Sequence, residues 1–199
     1  MPTFDPDTGR HLLTPVDPNL PARVSRLQAL RLADQPDPEF DVLAHNLARD
    51  AAEHADTTQL PYAMVNLVTH HQYFTGLHVP VADTAAQSPL GSAPAQPEVG
   101  RTMSGDHGFC PHVVDRNTAL VLNDVCAFPR FASNEVVDQI GIRTYLGAPL
   151  LDPRSGTVLG TVCVVDTEPR QWGKSGLALI HRYRDEAMHV IQERGVALS

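Results

Sequence analysis

The sequence predicts an α+β fold, and three observations carry that expectation. Residues 143–151 and 157–165 are β-rich runs separated by Asp152-Pro153-Arg154-Ser155-Gly156, a turn sequence that makes them a hairpin. Residues 60–79 hold a second strand pair around a polar turn. Helical stripes of apolar residues, spaced three and four apart, bracket these strands on both sides.

Taken in order, residues 1–18 are rich in Pro and Asp without periodicity and are expected to be a flexible segment. An N-terminal helical region spans 19–36. Within it, over 19–33, Leu20, Val24, Leu27 and Leu30 form one stripe, with Arg23, Arg26 and Arg31 outside it. Asp37 reads as an N-cap, with Pro38 at the first helical position, where a missing N–H costs nothing. The helix that follows buries Phe40, Leu43, Leu47 and Ala51 and runs to about Ala55. In the first strand pair, residues 63–68 are apolar around Asn66. His70-His71-Gln72 makes the turn, and Tyr73-Phe74 begins the return strand.

Residues 80–103 are rich in Ala, Pro, Gly and Ser and predict a long surface loop, because such a stretch buries too little apolar area to offset its ordering entropy. Loops longer than about 12–15 residues in a compact domain are lids or tolerated insertions. This one leads into a short apolar helix bearing Cys110 and His112, so it is a candidate lid over a cleft. A compact strand over 119–122 and a Pro-punctuated segment over 124–141 come next. Gly147 and Gly160 fall inside the hairpin strands and are expected to leave a flat patch there. The last helix, over 175–194, carries Leu177, Ile180, Tyr183, Ala187, Met188 and Ile191 on one side.

Composition narrows the function. At 199 residues the chain is one domain, long enough for a real core. Its formal charge is −8 and its 15 basic residues are scattered, which disfavours nucleic acid. Residues 1–13 carry neither a basic nor an apolar region, so no leader is expected, and no apolar run nears the ~18 residues a membrane span requires. Three widely spaced cysteines without a CxxC pair support neither a disulfide framework nor structural zinc. The expectation is a cytoplasmic protein with reduced thiols.

Several phrases of the sequence occur together in a recognisable order. They are Phe109-Cys110-x-His112, Asn123-Asp124-Val125, Phe128-Pro129-Arg130-Phe131, the run Gly141-Ile142-Arg143-x-Tyr145-x-Gly147-Ala148-Pro149-Leu150, and the run from Leu159 to Asp166. In that order they resemble the second half of a GAF domain, and with the strand around Asn66 the resemblance extends over about 40–194. It implies a GAF domain over 37–195 with a GAF/PAS-like central antiparallel sheet flanked by helices, the N- and C-terminal helices on one face. It also implies a ligand cleft between the sheet and the segments 109–114 and 124–140. Apolar walls would come from Phe109, Val113, Phe128, Phe131 and Tyr145, with His112, Asp124 and Arg143 as orienting polar groups.

The function implied is a non-enzymatic sensory module. It would bind a small molecule of unknown identity and act through a homodimer, formed by residues 19–33 and 175–194, or through a signalling partner in trans. No helix-turn-helix, kinase or cyclase output segment is expected after Arg194. Arg143 and Tyr145, two apart on one strand, point to a flat or apolar ligand bearing a carboxylate. Arg143 pairing with Asp124 is the simpler reading of the same residues.

Other chemistries of the family fit less well, and the sequence names no cofactor. Cys110 and His112, two apart on a helix, sit about 200° apart and do not converge on one ion. Pro111 separates Cys110 from the histidine that follows bilin-attaching cysteines. A single haem-ligating histidine leaves no spacing to test among ten histidines. Lys174, the single lysine, lies beyond the last strand and cannot complete a cyclic-nucleotide signature. The enzymatic alternative is the free methionine-(R)-sulfoxide reductase. Cys110 resembles one of its cysteines and the loop at 124–129 resembles its loop, but Asn134 and its neighbours stand where its attacking cysteine belongs. A ligand-free interaction scaffold is the remaining alternative.

Overall fold

The computed structural model describes residues 15–80, 99–132 and 134–197. The expectations for most of the flexible segment over 1–18 and for most of the loop over 80–103 lie outside these residues. In chain order the elements are α1 (Leu20–Ala29), α2 (Pro38–His54), β1 (Tyr62–Val68), β2 (His71–His78), β3 (Thr102–Ser104), α3 (Cys110–Arg116) and β4 (Leu120–Leu122). A 3-10 turn (Val125–Ala127) follows, then α4 (Pro129–Ala132), α5 (Glu135–Ile140), β5 (Thr144–Leu151), β6 (Val158–Asp166) and α6 (Gly173–Ala197).

The strands form one antiparallel sheet in the order β3-β2-β1-β6-β5-β4. The first and last strands of the chain therefore meet at its centre, Met64 opposite Cys163 and Asn66 opposite Thr161. Because successive side chains point to opposite faces, the central strands β1, β6 and β5 feed two cores. Ala63, Val65, Leu67, Leu146, Leu150, Val162 and Val164 face one way and pack with Leu27 of α1, Phe40 and Leu47 of α2, and Ile180 and Ile191 of α6. Met64, Phe74, Tyr145 and Cys163 face the other way and pack with Phe109, Val113 and Phe131. The result is three layers, with the N- and C-terminal helices on one face of the sheet and α3 to α5 on the other. Each fully buried Phe or Leu contributes about 1.5–3 kcal/mol to these layers.

The start of α2 follows its sequence signal. The Asp37 carboxylate accepts from the Glu39 N–H at 3.0 Å, and Pro38 opens the helix. The C-terminal end of α6 closes over this cap, where Arg194 pairs with Asp37 and with Glu39 (Nη2 to Oε2, 2.6 Å) and stacks on Phe40. These carboxylate hydrogen bonds raise the guanidinium pKa and hold Asp37 below its usual range.

Four local expectations are corrected. The first helix ends at Ala29, because Arg31 takes a left-handed conformation (φ 53°). Arg23 lies inside the fold, 1% exposed: it pairs with Asp17, and its Nε donates to the Val158 carbonyl at 2.5 Å. A helix stripe assigned by hydropathy places every Arg in water, and here a carboxylate and a strand carbonyl supply the partners that make burial tolerable. The return strand begins at His71 rather than Tyr73, with His71 opposite Ser104 and Gln72 opposite Val68, since the Thr69 N–H donates to the His71 carbonyl and closes the reversal earlier. The three-residue β3, inside the stretch expected to be loop, pairs with His71–Tyr73; it is too short to show alternation.

Candidate functional site

A narrow cavity lies between the sheet and the α3–α5 layer. The sheet supplies Tyr62 and Met64 from β1, Gln72 and Phe74 from β2, Tyr145 from β5, and Cys163 and Val165 from β6. Phe109 and Cys110 at the start of α3 close one side, and Val136, Ile140 and Ile142 close another. The free volume is about 40 Å³. About 10–15 Å³ of such space suffices for one water, so the cavity as it stands admits a few waters or a small molecule of similar size.

Short polar contacts hold this wall together. Asn134 caps α5, and its amide also grips Gly108 at both ends, accepting from the Gly108 N–H at 3.0 Å and donating to its carbonyl at 2.9 Å. That double contact fixes the entry to α3 against the entry to α5. Gln72, 1% exposed, accepts from Asn66 Nδ2 at 2.9 Å and donates to the Ser104 and His107 carbonyls, both at 2.8 Å. The side-chain oxygens of Asn66 and Thr161, facing partners across β1 and β6, are buried with no hydrogen-bond partner.

The sulfur chemistry of the cavity is concentrated on one spot. Cys110 Sγ lies 3.7 Å from Cys163 Sγ, and the Tyr145 hydroxyl donates to Cys110 Sγ at 3.5 Å. Cys163 Sγ also touches Met64 Sδ at 3.8 Å. The hydrogen bond shared with Cys163 pulls the Cys110 thiol down against its burial, while the same contact pushes Cys163 well above the ordinary thiol range. Burial, and then the neighbouring Cys110, push the Tyr145 phenol up as well, so it remains a donor.

Of the seven residues expected to bind ligand, Phe109 and Tyr145 line the cavity together, with ring centroids 5.2 Å apart. The other five lie outside it. Phe131 packs behind Phe109 as a core residue, and Phe128 is 44% exposed on the far side of Phe131. His112 is buried against Phe131 (5.0 Å) rather than at the cleft rim, 3.4 Å from Arg130 Nη2. Burial, then the positive charge of Arg130 and Arg116, depress its pKa to about 4. Arg143 does not enter the cavity either: its guanidinium forks onto Asp124 (3.1 and 2.8 Å) in a half-exposed pair that holds Asp124 below its usual range. Arg143 and Tyr145 differ because Arg143 precedes the strand, whereas Tyr145 sits within its ladder opposite Val165.

The expected flat glycine patch is also filled. The Tyr145 ring lies over Gly147, and Gly160 is pressed against the Asn66 carbonyl. Most of the cavity wall was not singled out from sequence. Met64, Cys163 and Val165 lie in largely apolar runs, and periodicity marks such runs as buried without saying which face holds an opening.

The sequence over residues 39–190 matches the family model described as GAF domain. Among solved structures, the chain is similar to the GAF domain of an Acinetobacter phosphoenolpyruvate-protein phosphotransferase, at 14% identity over 92% of this chain and 98% of that one, with a TM-score of 0.52. It is similar to the GAF domain of Thermosynechococcus elongatus PixJ in its blue-light-absorbing form, at 14% identity over 86% and 94%, TM-score 0.51. It is likewise similar to a segment of a methyl-accepting chemotaxis protein, at 15% identity over 88% and 98%, TM-score 0.50. At these identities the likeness is one of fold. No curated protein matches the sequence. The family model spans most of the chain, and the strands and cavity-side helices fall where its phrases occur: the chain belongs to the GAF domain family.

Proposed function

We propose that this GAF domain is a non-enzymatic sensory module whose input site is the cavity under Tyr145. The observation that supports this most is the cavity itself. It is an apolar opening between the sheet and a layer of short helices; the two thiols border it, and the Tyr145 hydroxyl turns onto Cys110. That design, apolar walls with few polar groups, is the usual one for small-molecule sites. Its volume favours a small neutral molecule, and a larger one requires α5 and the segment around Met103 to move outward. The commitment of the Arg143 guanidinium to Asp124 argues against the carboxylate-bearing ligand that Arg143 had implied.

Output passes, on this reading, through dimerisation or to a partner in trans, by the outer faces of α1 and α6. On α6 that outer face carries the paired Arg182–Glu186 and His189–Glu193. No described helix is long and apolar enough to cross a membrane. A cytoplasmic location belongs to the same proposal.

The test is extraction of the protein as purified followed by mass spectrometry, together with thermal denaturation in a graded series of neutral probes from propanol through benzene to indole. We expect either a retained small molecule or stabilisation by one part of the series, in both cases abolished by Val136→Phe, which fills the cavity. An empty protein that no probe stabilises, or stabilisation unchanged in Val136→Phe, overturns the proposal. Light scattering at tens of micromolar then separates the two outputs, a doubled mass indicating the dimer and a monomer mass the partner in trans.

A further inference from the structure

We propose that Cys110 and Cys163 are a thiol oxidation site: a small hydroperoxide entering the cavity converts them to a disulfide, reversibly, and so ties the sheet to α3. The proposal stands apart from the identity of any sensed ligand.

Geometry carries it first. The two sulfurs are 3.7 Å apart, so closure to a disulfide length of about 2.05 Å needs an approach of about 1.7 Å. Cys110 opens α3, a helix of seven residues, while Cys163 sits on the central strand β6, opposite Gly147. The short helix is the element that would move. Both thiols line the same cavity, whose free volume of about 40 Å³ suits an oxidant scarcely larger than water. Cys126, the remaining cysteine, is exposed on the 3-10 turn and lies outside this pair.

Chemistry carries it further. The attacking group must be a thiolate, and an anion in an apolar cavity needs donors. Cys110 has them: the Cys163 thiol and the Tyr145 hydroxyl both reach its sulfur. In the first step the Cys110 thiolate attacks one oxygen of hydrogen peroxide. The O–O bond breaks, Cys110 becomes a sulfenic acid, and hydroxide leaves and takes a proton to become water. In the second step the Cys163 sulfur attacks the sulfenic sulfur. The S–S bond forms, the S–O bond breaks, and the departing hydroxide takes the Cys163 proton as a second water. Two thiols and one peroxide thus give one disulfide and two waters. An external dithiol returns the pair to thiols by exchange.

The experiment uses the wild-type chain, reduced and then freed of reductant. It is treated with a few equivalents of hydrogen peroxide near neutral pH, denatured in N-ethylmaleimide and weighed intact. Before peroxide, all three cysteines take the maleimide. After peroxide we expect a protein two hydrogens lighter that takes a single maleimide, on Cys126, with a digest containing the linked Cys110 and Cys163 peptides, all reversed by dithiothreitol. Cys163→Ser should lose the link and leave a sulfenic acid on Cys110 that dimedone traps. Wild-type protein that keeps three maleimides, that links through Cys126, or that gives sulfinic acid on Cys110 without a disulfide overturns the proposal.

Discussion

The Tyr145 ring lies along its own strand over Gly147, with its hydroxyl 2.2 Å from where a Cβ on that glycine would stand. This is how a large side chain on a sheet face comes to aim its hydroxyl at Cys110, and it makes Gly147 part of the site although it does not line the cavity. Gly147→Ala should push Tyr145 off the sheet and destabilise the protein by about 1–3 kcal/mol, the usual cost of overpacking. In urea titrations, the double variant Gly147→Ala/Tyr145→Ala should lose less than the sum of its two singles. Strict additivity would show that the two residues are not coupled.

Arg23 tests the docking of α1. Its guanidinium is buried, shared between Asp17 and the Val158 carbonyl. Arg23→Leu leaves that carbonyl and a partly buried carboxylate without their partner. The expected loss is about 2–3 kcal/mol in urea, below the 3–5 kcal/mol of a fully buried broken pair because water can still reach Asp17. A loss under about 0.5 kcal/mol, the scale of ordinary surface substitutions, would mean that α1 is not fastened here.

His112 should make the fold acid-sensitive. Its pKa falls from the ordinary 6.5 to about 4 on folding, so the unfolded chain binds the proton first as pH drops. The neutral-histidine stability is therefore complete above about pH 6.5 and is lost progressively toward pH 4, reaching about 2 kcal/mol at pH 5. The carboxylates held low by their partners, such as Asp37 and Asp124, begin to matter only below this window. His78 and His181 are also depressed and add to the slope in any variant. The comparison is thus wild type against His112→Gln, by urea unfolding at pH 7 and pH 5. Equal pH slopes would contradict the assignment.

Arg143 and Tyr145 should behave differently in ligand binding. With any probe that stabilises the wild type, Arg143→Ala should retain the thermal shift and Tyr145→Ala should lose it. The reason is that the guanidinium is committed to Asp124 outside the cavity, while the phenol forms its wall. Loss of the shift in Arg143→Ala would bring the carboxylate-binding reading back.

Sequence by itself determined the strands around Asn66, the hairpin at Asp152–Gly156, the Asp37-Pro38 helix start, the last amphipathic helix and, through the phrases from Phe109 to Asp166, the family. These signals are local: a cap, a turn and a periodicity each act within a few residues, where the chain's own neighbours decide the outcome. It also placed Phe109 and Tyr145 in one wall, because the family's phrases fix which side of the sheet α3 covers. Only the tertiary structure decided the rest. Cys110 and Cys163 are 53 positions apart and meet because α3 crosses β6. Arg23 is buried because Asp17 and the end of β6 converge on it, and Arg143 is withheld from the cavity because Asp124 reaches it first. Each of these depends on which partner a polar or thiol group finds across the fold, and hydropathy along the chain contains no term for a partner so far away.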